Sequence, residues 1–138
     1  MNQISKSSHL KSLGQTGTKY DYTKVSPELL ETFPRPSALS DLKLHIEAPE
    51  FTSLCPKTGQ PDFATIVIDY EPKDHCVESK SLKLYLGSFR MVGEFHEACV
   101  QRICEDLVNL LNPKWLKVEG RFTPRGGIPF WPTAEWYR

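Results

Sequence analysis

The sequence has no excess of either charge. Seventeen Lys and Arg balance seventeen Asp and Glu over 138 residues, so the net charge is zero. That balance excludes a nucleic-acid binder held mainly by phosphate contacts, while leaving room for a local basic patch around one small anion. No apolar run approaches the ~20 residues needed to span a bilayer. Residues 1–17, rich in Ser, Lys and Gly, lack the apolar stretch of a secretory signal. A cytoplasmic protein with neither a membrane nor a nucleic acid as partner is expected. There is no C-x-x-C pair, so Cys55, Cys76, Cys99 and Cys104 are expected to be mostly reduced thiols. There is no G-x-G-x-x-G string, which excludes a dinucleotide bound in the Rossmann manner. His96-Glu97 begins an H-E-x-x-H-like string, but Val100 stands where the second histidine is needed. The four histidines, His9, His45, His75 and His96, show no H-x-H spacing, and no metal site is expected.

What is present suits one domain. Hydrophobic residues make up 39% of the chain, enough for a core. A chain this short leaves much surface uncovered, and self-association would help bury it. Residues 1–25 are expected to be a loosely ordered tail and residues 26–138 a single catalytic domain. The two prolines in Thr32–Pro36 predict a loop. Leu42–Ala48 alternates, with Leu42, Leu44, Ile46 and Ala48 on one face and Lys43, His45 and Glu47 on the other, which predicts a half-buried strand. The turn-rich stretch from Pro49 to Pro61 predicts a loop, and Ala64–Tyr70 alternates again as a second, antiparallel strand. From Ser79 to Arg90 the period becomes helical, with Ser79 as N-cap. A second helix is expected from Glu94 to Leu111, stopped by Asn112-Pro113. Leu116–Phe122 predicts a third strand and Thr123–Gly127 a turn. Ile128–Trp136 predicts a fourth strand, with Pro129 and Pro132 counting against it. The fold class is therefore α+β, with the order ββααββ. It forms a four-stranded antiparallel sheet with two helices on one face.

Several residues suit chemistry, each beside a plainer reading. Cys55 lies in a loop beside Lys57, a cation that favours thiolate, so it suits a nucleophile or an inert loop thiol. Asp62 lies seven residues on, after Gly59-Gln60-Pro61, where a turn can fold it back as a proton donor; it equally suits a solvated turn. Ser79 and Ser81 open the first helix. Lys80 and Lys83 share a face that suits either a phosphate or water. Glu97 in a first turn is favoured by the helix dipole, and also suits the N–H edge of a guanine-like base. Cys99 follows His96 by three residues on a similar face, which raises a reversible Cys55–Cys99 disulfide. Cys76 and Cys104 read as small buried apolar residues. Arg125 with Gly126 and Gly127 suits a phosphate cradle or a plain hairpin turn.

In combination these strings are more specific. Glu50-Phe51-Thr52-Ser53-Leu54-Cys55-Pro56-Lys57-Thr58-Gly59-Gln60-Pro61-Asp62-Phe63 closely resembles the active-site loop of the NADPH-dependent 7-cyano-7-deazaguanine reductases. Glu78-Ser79-Lys80-Ser81-Leu82-Lys83-Leu84-Tyr85 resembles that family's signature motif. Phe95-His96-Glu97 and Phe122-Thr123-Pro124-Arg125-Gly126-Gly127 match as well, and the likeness runs from about Leu30 to Pro132. The resemblance implies a tunnelling fold in its short, one-module form. Copies close into a multi-subunit barrel, a decamer of two stacked pentamers with active sites between subunits. It implies an oxidoreductase of queuosine synthesis, a tRNA-modification pathway, acting on the free base.

The resemblance also implies residue roles. Cys55 forms a covalent thioimidate with the nitrile, Asp62 protonates it, and NADPH is used twice per turnover. His96 and Glu97 hold the deazaguanine, with Val77, Glu78 and Ser79 completing the pocket from a neighbouring subunit. Lys80, Lys83, Arg125, Gly126 and Gly127 are the expected NADPH contacts. Two alternatives remain: a zinc-dependent pterin enzyme of the same fold, such as a GTP cyclohydrolase, and a non-catalytic purine-binding module.

Overall fold

The computed structural model describes residues 21–138. The tail expected at residues 1–25 lies mostly outside the described residues. Of residues 21–25, the Tyr22 carbonyl accepts the Met91 N–H at 2.9 Å, and Val25 packs against the core.

One antiparallel sheet carries the structure, in the order β2-β3-β5-β6. Its strands are β2 (Leu44–Leu54), β3 (Pro61–Glu71), β5 (Trp115–Phe122) and β6 (Thr133–Tyr137). Helices α1 (Ser79–Gly87) and α2 (His96–Leu111) form the crossover between β3 and β5. The expected order ββααββ and the α+β class therefore hold. Two short strands, β1 (Thr32–Pro34) and β4 (His75–Val77), pair as a separate ribbon. The loop expected at Thr32–Pro36 is thus partly strand: Thr32 and Phe33 pair with Val77 and Cys76, a long-range contact that local prolines do not reveal.

Alternation sets the core. Ile66, Ile68 and Tyr70 of β3 and Leu116, Val118 and Phe122 of β5 are buried together with Val100, Ile103 and Leu107 of α2. Each such aliphatic side chain stabilises the fold by about 1.5–3 kcal/mol relative to exposure. Tyr85 ties the helices together, its hydroxyl donating to Asp106 at 2.6 Å. On the opposite sheet face His45 sits between Asp69 and Glu47, at 2.6 and 2.7 Å, and these carboxylates hold its imidazole above the ordinary value. Among the described residues no helix is long and apolar enough to cross a membrane.

Three expectations about element ends are corrected. Strand β2 runs on through Leu54, and β3 begins at Pro61, so most of the expected Pro49–Pro61 loop is strand. Pro49 is tolerated because β2 is an edge strand and the residue lies in a bulge, where no ladder N–H is required. The N-cap of α1 is Glu78 rather than Ser79, since its carboxylate accepts from the N–H groups of Lys80 and Ser81 at 2.9 and 2.7 Å. Strand β6 starts only at Thr133, after both prolines, because neither can donate to the β5 ladder.

The bulge has a large consequence. Ala48 pairs with Ile66 and Phe51 with Ala64, so Pro49 and Glu50 together oppose one residue of β3. Before it, Leu44, Ile46 and Ala48 pack toward the core; after it, Phe51 and Ser53 do. The inward set switches from even to odd positions.

At Gly120, β5 closely approaches Val100 of α2. A methyl group there would lie 2.6 Å from Val100 Cγ2 and 2.7 Å from the Phe122 ring. Gly120→Ala is expected to cost about 1–3 kcal/mol by overpacking. It should lower the thermal unfolding midpoint by several degrees in calorimetry; an unchanged midpoint would show that α2 moves aside freely.

Candidate active site

The inward, odd-numbered set of β2 ends at Ser53, one residue before the strand does. Ser53 pairs with Asp62 across the β2–β3 hairpin, and directly paired residues share a face. Asp62 is therefore not in a turn, as expected, but on β3, on the helix side of the sheet. Cys55 follows at the mouth of the hairpin loop. Its N–H donates to the Gln60 carbonyl at 2.8 Å, and its carbonyl accepts from Gly59 at 2.9 Å. Gly59 takes φ +72°, the left-handed conformation that closes this loop.

Two further contacts bring distant residues to the same place. Leu54 N–H donates to the Val92 carbonyl and Leu54 carbonyl accepts from Glu94, both at 3.0 Å. This short parallel bridge sets the start of α2, with Phe95, His96 and Glu97, beside Cys55. Thr123 N–H donates to the Phe63 carbonyl at 2.9 Å, which holds the β5–β6 turn next to Asp62. The result is a cavity of about 220 Å³ whose polar lining is Cys55, Asp62, Glu94, His96, Glu97 and Arg125. Pro56, Phe95 and Phe130 supply its apolar walls. A second cavity of similar size, between Val25, Phe89 and α2, contains no thiol.

The electrostatics single out Cys55. The Thr58 hydroxyl, the Thr58 and Lys57 N–H groups and the Arg125 guanidinium are the nearby donors that favour its thiolate. Together they bring the thiol down from 9.0 to about 6, so the thiolate prevails at neutral pH. The cation at the sulfur is thus Arg125, while Lys57 contributes its backbone N–H. The other thiols go the opposite way: burial pushes Cys99 up to about 12 and raises Cys76 and Cys104. All four cysteines are free, and Cys99 donates to the Ser53 hydroxyl at 3.8 Å.

Asp62 is 5% exposed and pairs with Arg125, whose positive charge also favours the Cys55 thiolate. His96 Nδ1 lies 3.9 Å from the other Asp62 oxygen. Its ring stacks on Phe122 with centroids 3.8 Å apart and planes 7° from parallel. Burial there holds the imidazole below its ordinary value of 6.5, against the pull of Asp62, so it is neutral at pH 7. Glu97 is exposed at the cavity rim.

The remaining expected residues lie elsewhere. None of Val77, Glu78, Ser79, Lys80 and Lys83 lines the cavity. Glu78 is buried and engaged in capping α1, whereas Lys83 is exposed. Gly126 and Gly127 take φ +57° and +76° in the turn beside Arg125. Among the described residues no three His, Cys, Asp or Glu side chains are grouped to hold a metal ion. Sequence reasoning missed Thr58, Glu94 and Phe130. Thr58 had a local signal, three residues after the cysteine in a glycine-closed turn; Phe130 had none.

A protein-family model described as QueF-like protein matches residues 61–137. The curated NADPH-dependent 7-cyano-7-deazaguanine reductase of Bacillus subtilis (strain 168) is 54% identical over 124 residues, spanning 90% of this chain and 74% of that protein. The chain belongs to the QueF-like family. A reductase of the same name from Streptococcus thermophilus (strain ATCC BAA-491 / LMD-9) is 53% identical over all of this chain and 84% of its own length. Among solved structures, the apo archaeosine synthase QueF-Like superposes with a TM-score of 0.62 at 21% identity, covering 72% of this chain and 95% of that one. At that identity the likeness speaks to the fold alone.

The thiol environments predict selective alkylation. Iodoacetamide should modify Cys55 with a rate that rises through a midpoint near pH 6 and is flat by pH 8, because reactivity follows thiolate. Peptide mass mapping of the folded protein should find Cys99 unmodified over the same range. A Cys55 midpoint near 9 would contradict the site geometry.

Proposed function

We propose that the protein reduces the nitrile of 7-cyano-7-deazaguanine to the primary amine of 7-aminomethyl-7-deazaguanine, with NADPH as hydride donor, in queuosine synthesis. The observation that carries this reading is a low-pKa thiol in one cavity with a buried carboxylate. The identity to named reductases over nearly the whole chain supports the substrate and the cofactor.

In this reading the Cys55 sulfur bonds to the nitrile carbon, one π pair moves to nitrogen, and Asp62 supplies the proton that nitrogen needs. The product is a thioimidate. Covalent capture holds the substrate in place and divides a four-electron reduction into two hydride steps. Neutral His96, flat on Phe122, offers a ring wall and one N–H to the base. Glu97 accepts from the guanine-like N–H edge. NADPH supplies the two hydrides, one to the thioimidate and one to the imine left when sulfur departs. Arg125, Gly126 and Gly127 fit its phosphates: the two glycines have no atom within 4 Å of their side-chain positions, so the turn presents open backbone beside a guanidinium. Lys80 and Lys83 add positive charge from α1.

A complete site in this reading needs a second copy. Val77, Glu78 and Ser79 lie away from the cavity and would close it from a neighbouring subunit, with residues 26–138 as the catalytic domain. Two features support assembly into a tunnelling-fold barrel, here a decamer of stacked pentamers. Strands β2 and β6 are edges of the four-stranded sheet, and Ile128, Phe130 and Trp131 are more than half exposed near the cavity. A cytoplasmic location suits a free-base substrate and NADPH.

Intact-mass spectrometry after mixing with 7-cyano-7-deazaguanine should show one adduct per chain, absent in Cys55→Ala together with NADPH oxidation. Asp62→Asn should still bind the base but form the adduct about 10²-fold or more slowly, within the range of general acid catalysis; normal turnover would sink its role as acid. Lys83→Ala should raise the KM for NADPH severalfold with kcat nearly unchanged, which steady-state kinetics can read directly.

A further inference from the structure

The pair between Arg125 and Asp62 has no role in the reaction as described. Its contact is specific: Arg125 Nη2 donates to Asp62 Oδ1. We infer that Arg125 is the positioning residue of the acid, holding Oδ1 so that the proton given to the nitrile sits on Oδ2. This rests on the nitrile-reductase reading of the site, and adds a task to a residue which that reading gives to the NADPH phosphates.

The donor set decides which oxygen carries the proton. A guanidinium has N–H donors and no acceptor. A proton on Oδ1 would point at those donors, whereas Oδ1 without a proton accepts from Arg125 Nη2. Oδ2 faces His96 Nδ1 at 3.9 Å, too far for a hydrogen bond. It is the oxygen left for the O–H. Asp62 is held at its backbone by the register with Ser53, and its side chain is 5% exposed. The Arg125 backbone is held as well. Its N–H donates to the Ile128 carbonyl at 3.2 Å, and its carbonyl accepts from Ile128 at 3.0 Å. Gly126 and Gly127 between them take positive φ, as a two-residue type I′ turn requires. The Thr123–Phe63 bond ties this turn to the strand that carries Asp62. The Arg125 side chain is 47% exposed, so one donor on Asp62 leaves others for a phosphate.

The pair also suits the movement of charge. Before addition the sulfur is thiolate and Asp62 is the protonated acid. The sulfur lone pair forms the C–S bond, one π pair moves to nitrogen, and the Oδ2–H bond breaks to give nitrogen its proton. The negative charge thus passes from sulfur to the Asp62 carboxylate. Arg125 favours the thiolate at the start and is paired with the carboxylate at the end.

The test is a double-mutant cycle on the full chain. Adduct formation with 7-cyano-7-deazaguanine is followed by intact mass without NADPH, in wild type, Asp62→Asn, Arg125→Ala and the double variant. Each rate is divided by the iodoacetamide rate of Cys55 in the same variant at pH 8, which removes any change in thiolate. Arg125→Ala should slow the corrected rate about tenfold, because a misplaced acid transfers its proton poorly. In the Asp62→Asn background the same substitution should change it by less than about twofold, because no acid remains to be positioned. Arg125→Met, which keeps the length and removes the donors, repeats the cycle should alanine loosen the turn. Equal losses in both backgrounds overturn the inference. So does an unchanged adduct rate with a raised KM for NADPH, which would leave Arg125 a phosphate contact only. A wild-type chain that forms no adduct sinks the reductase reading, and the inference with it.

Discussion

The site depends on one extra residue in an edge strand. The bulge at Pro49-Glu50 switches the inward-facing set of β2 from even to odd positions. Without it, Ser53 and Cys55 would lie on the sheet face that carries His45 and Glu47, while Asp62, even-numbered on β3, would remain on the helix side. A period-2 strand cannot bring both residues to one face unless its parity changes once. The bulge makes that change, and it lies in the edge strand, where a proline costs no ladder hydrogen bond.

Once the face is set, backbone hydrogen bonds assemble the rest. The bridge between Leu54 and residues 92–94 delivers the start of α2, and the Thr123–Phe63 bond delivers Arg125. These ties join segments far apart in sequence through main-chain groups, which any side chain permits. The side chains beside them are thereby free to serve chemistry. Ser53 illustrates the economy of the arrangement: fully buried, it satisfies its hydroxyl with Cys99 while its backbone pairs with Asp62.

The four cysteines separate environment from residue type. Cys76, Cys99 and Cys104 are all raised, in each case chiefly by burial, which disfavours the thiolate. Cys55 is also mostly covered, at 8% exposure, yet its thiol is lowered. The difference is that its neighbours are oriented donors rather than hydrocarbon. A turn of successive N–H groups, one hydroxyl and one guanidinium replace the water that would otherwise stabilise the charge. The same site keeps His96 neutral by stacking it on Phe122, so Arg125 is the cation that serves both the sulfur and Asp62.

The sequence alone determined the element order, the alternating cores of β3 and β5 and the helical stripe of α2. These depend on local period, and burial follows period wherever one face meets a core. It also singled out Cys55, Asp62, His96, Glu97 and Arg125, which the structure gathers around one cavity. Only the tertiary structure decided which cation meets the sulfur, that Asp62 stands on a strand, that Glu78 caps its own helix, and that β1 pairs with β4. Each of these depends on a contact between segments distant in the chain, or on a bulge whose register exists only against a partner strand. A composition of turn-forming residues between two strands reads as loop until that partner supplies the hydrogen bonds that make it sheet.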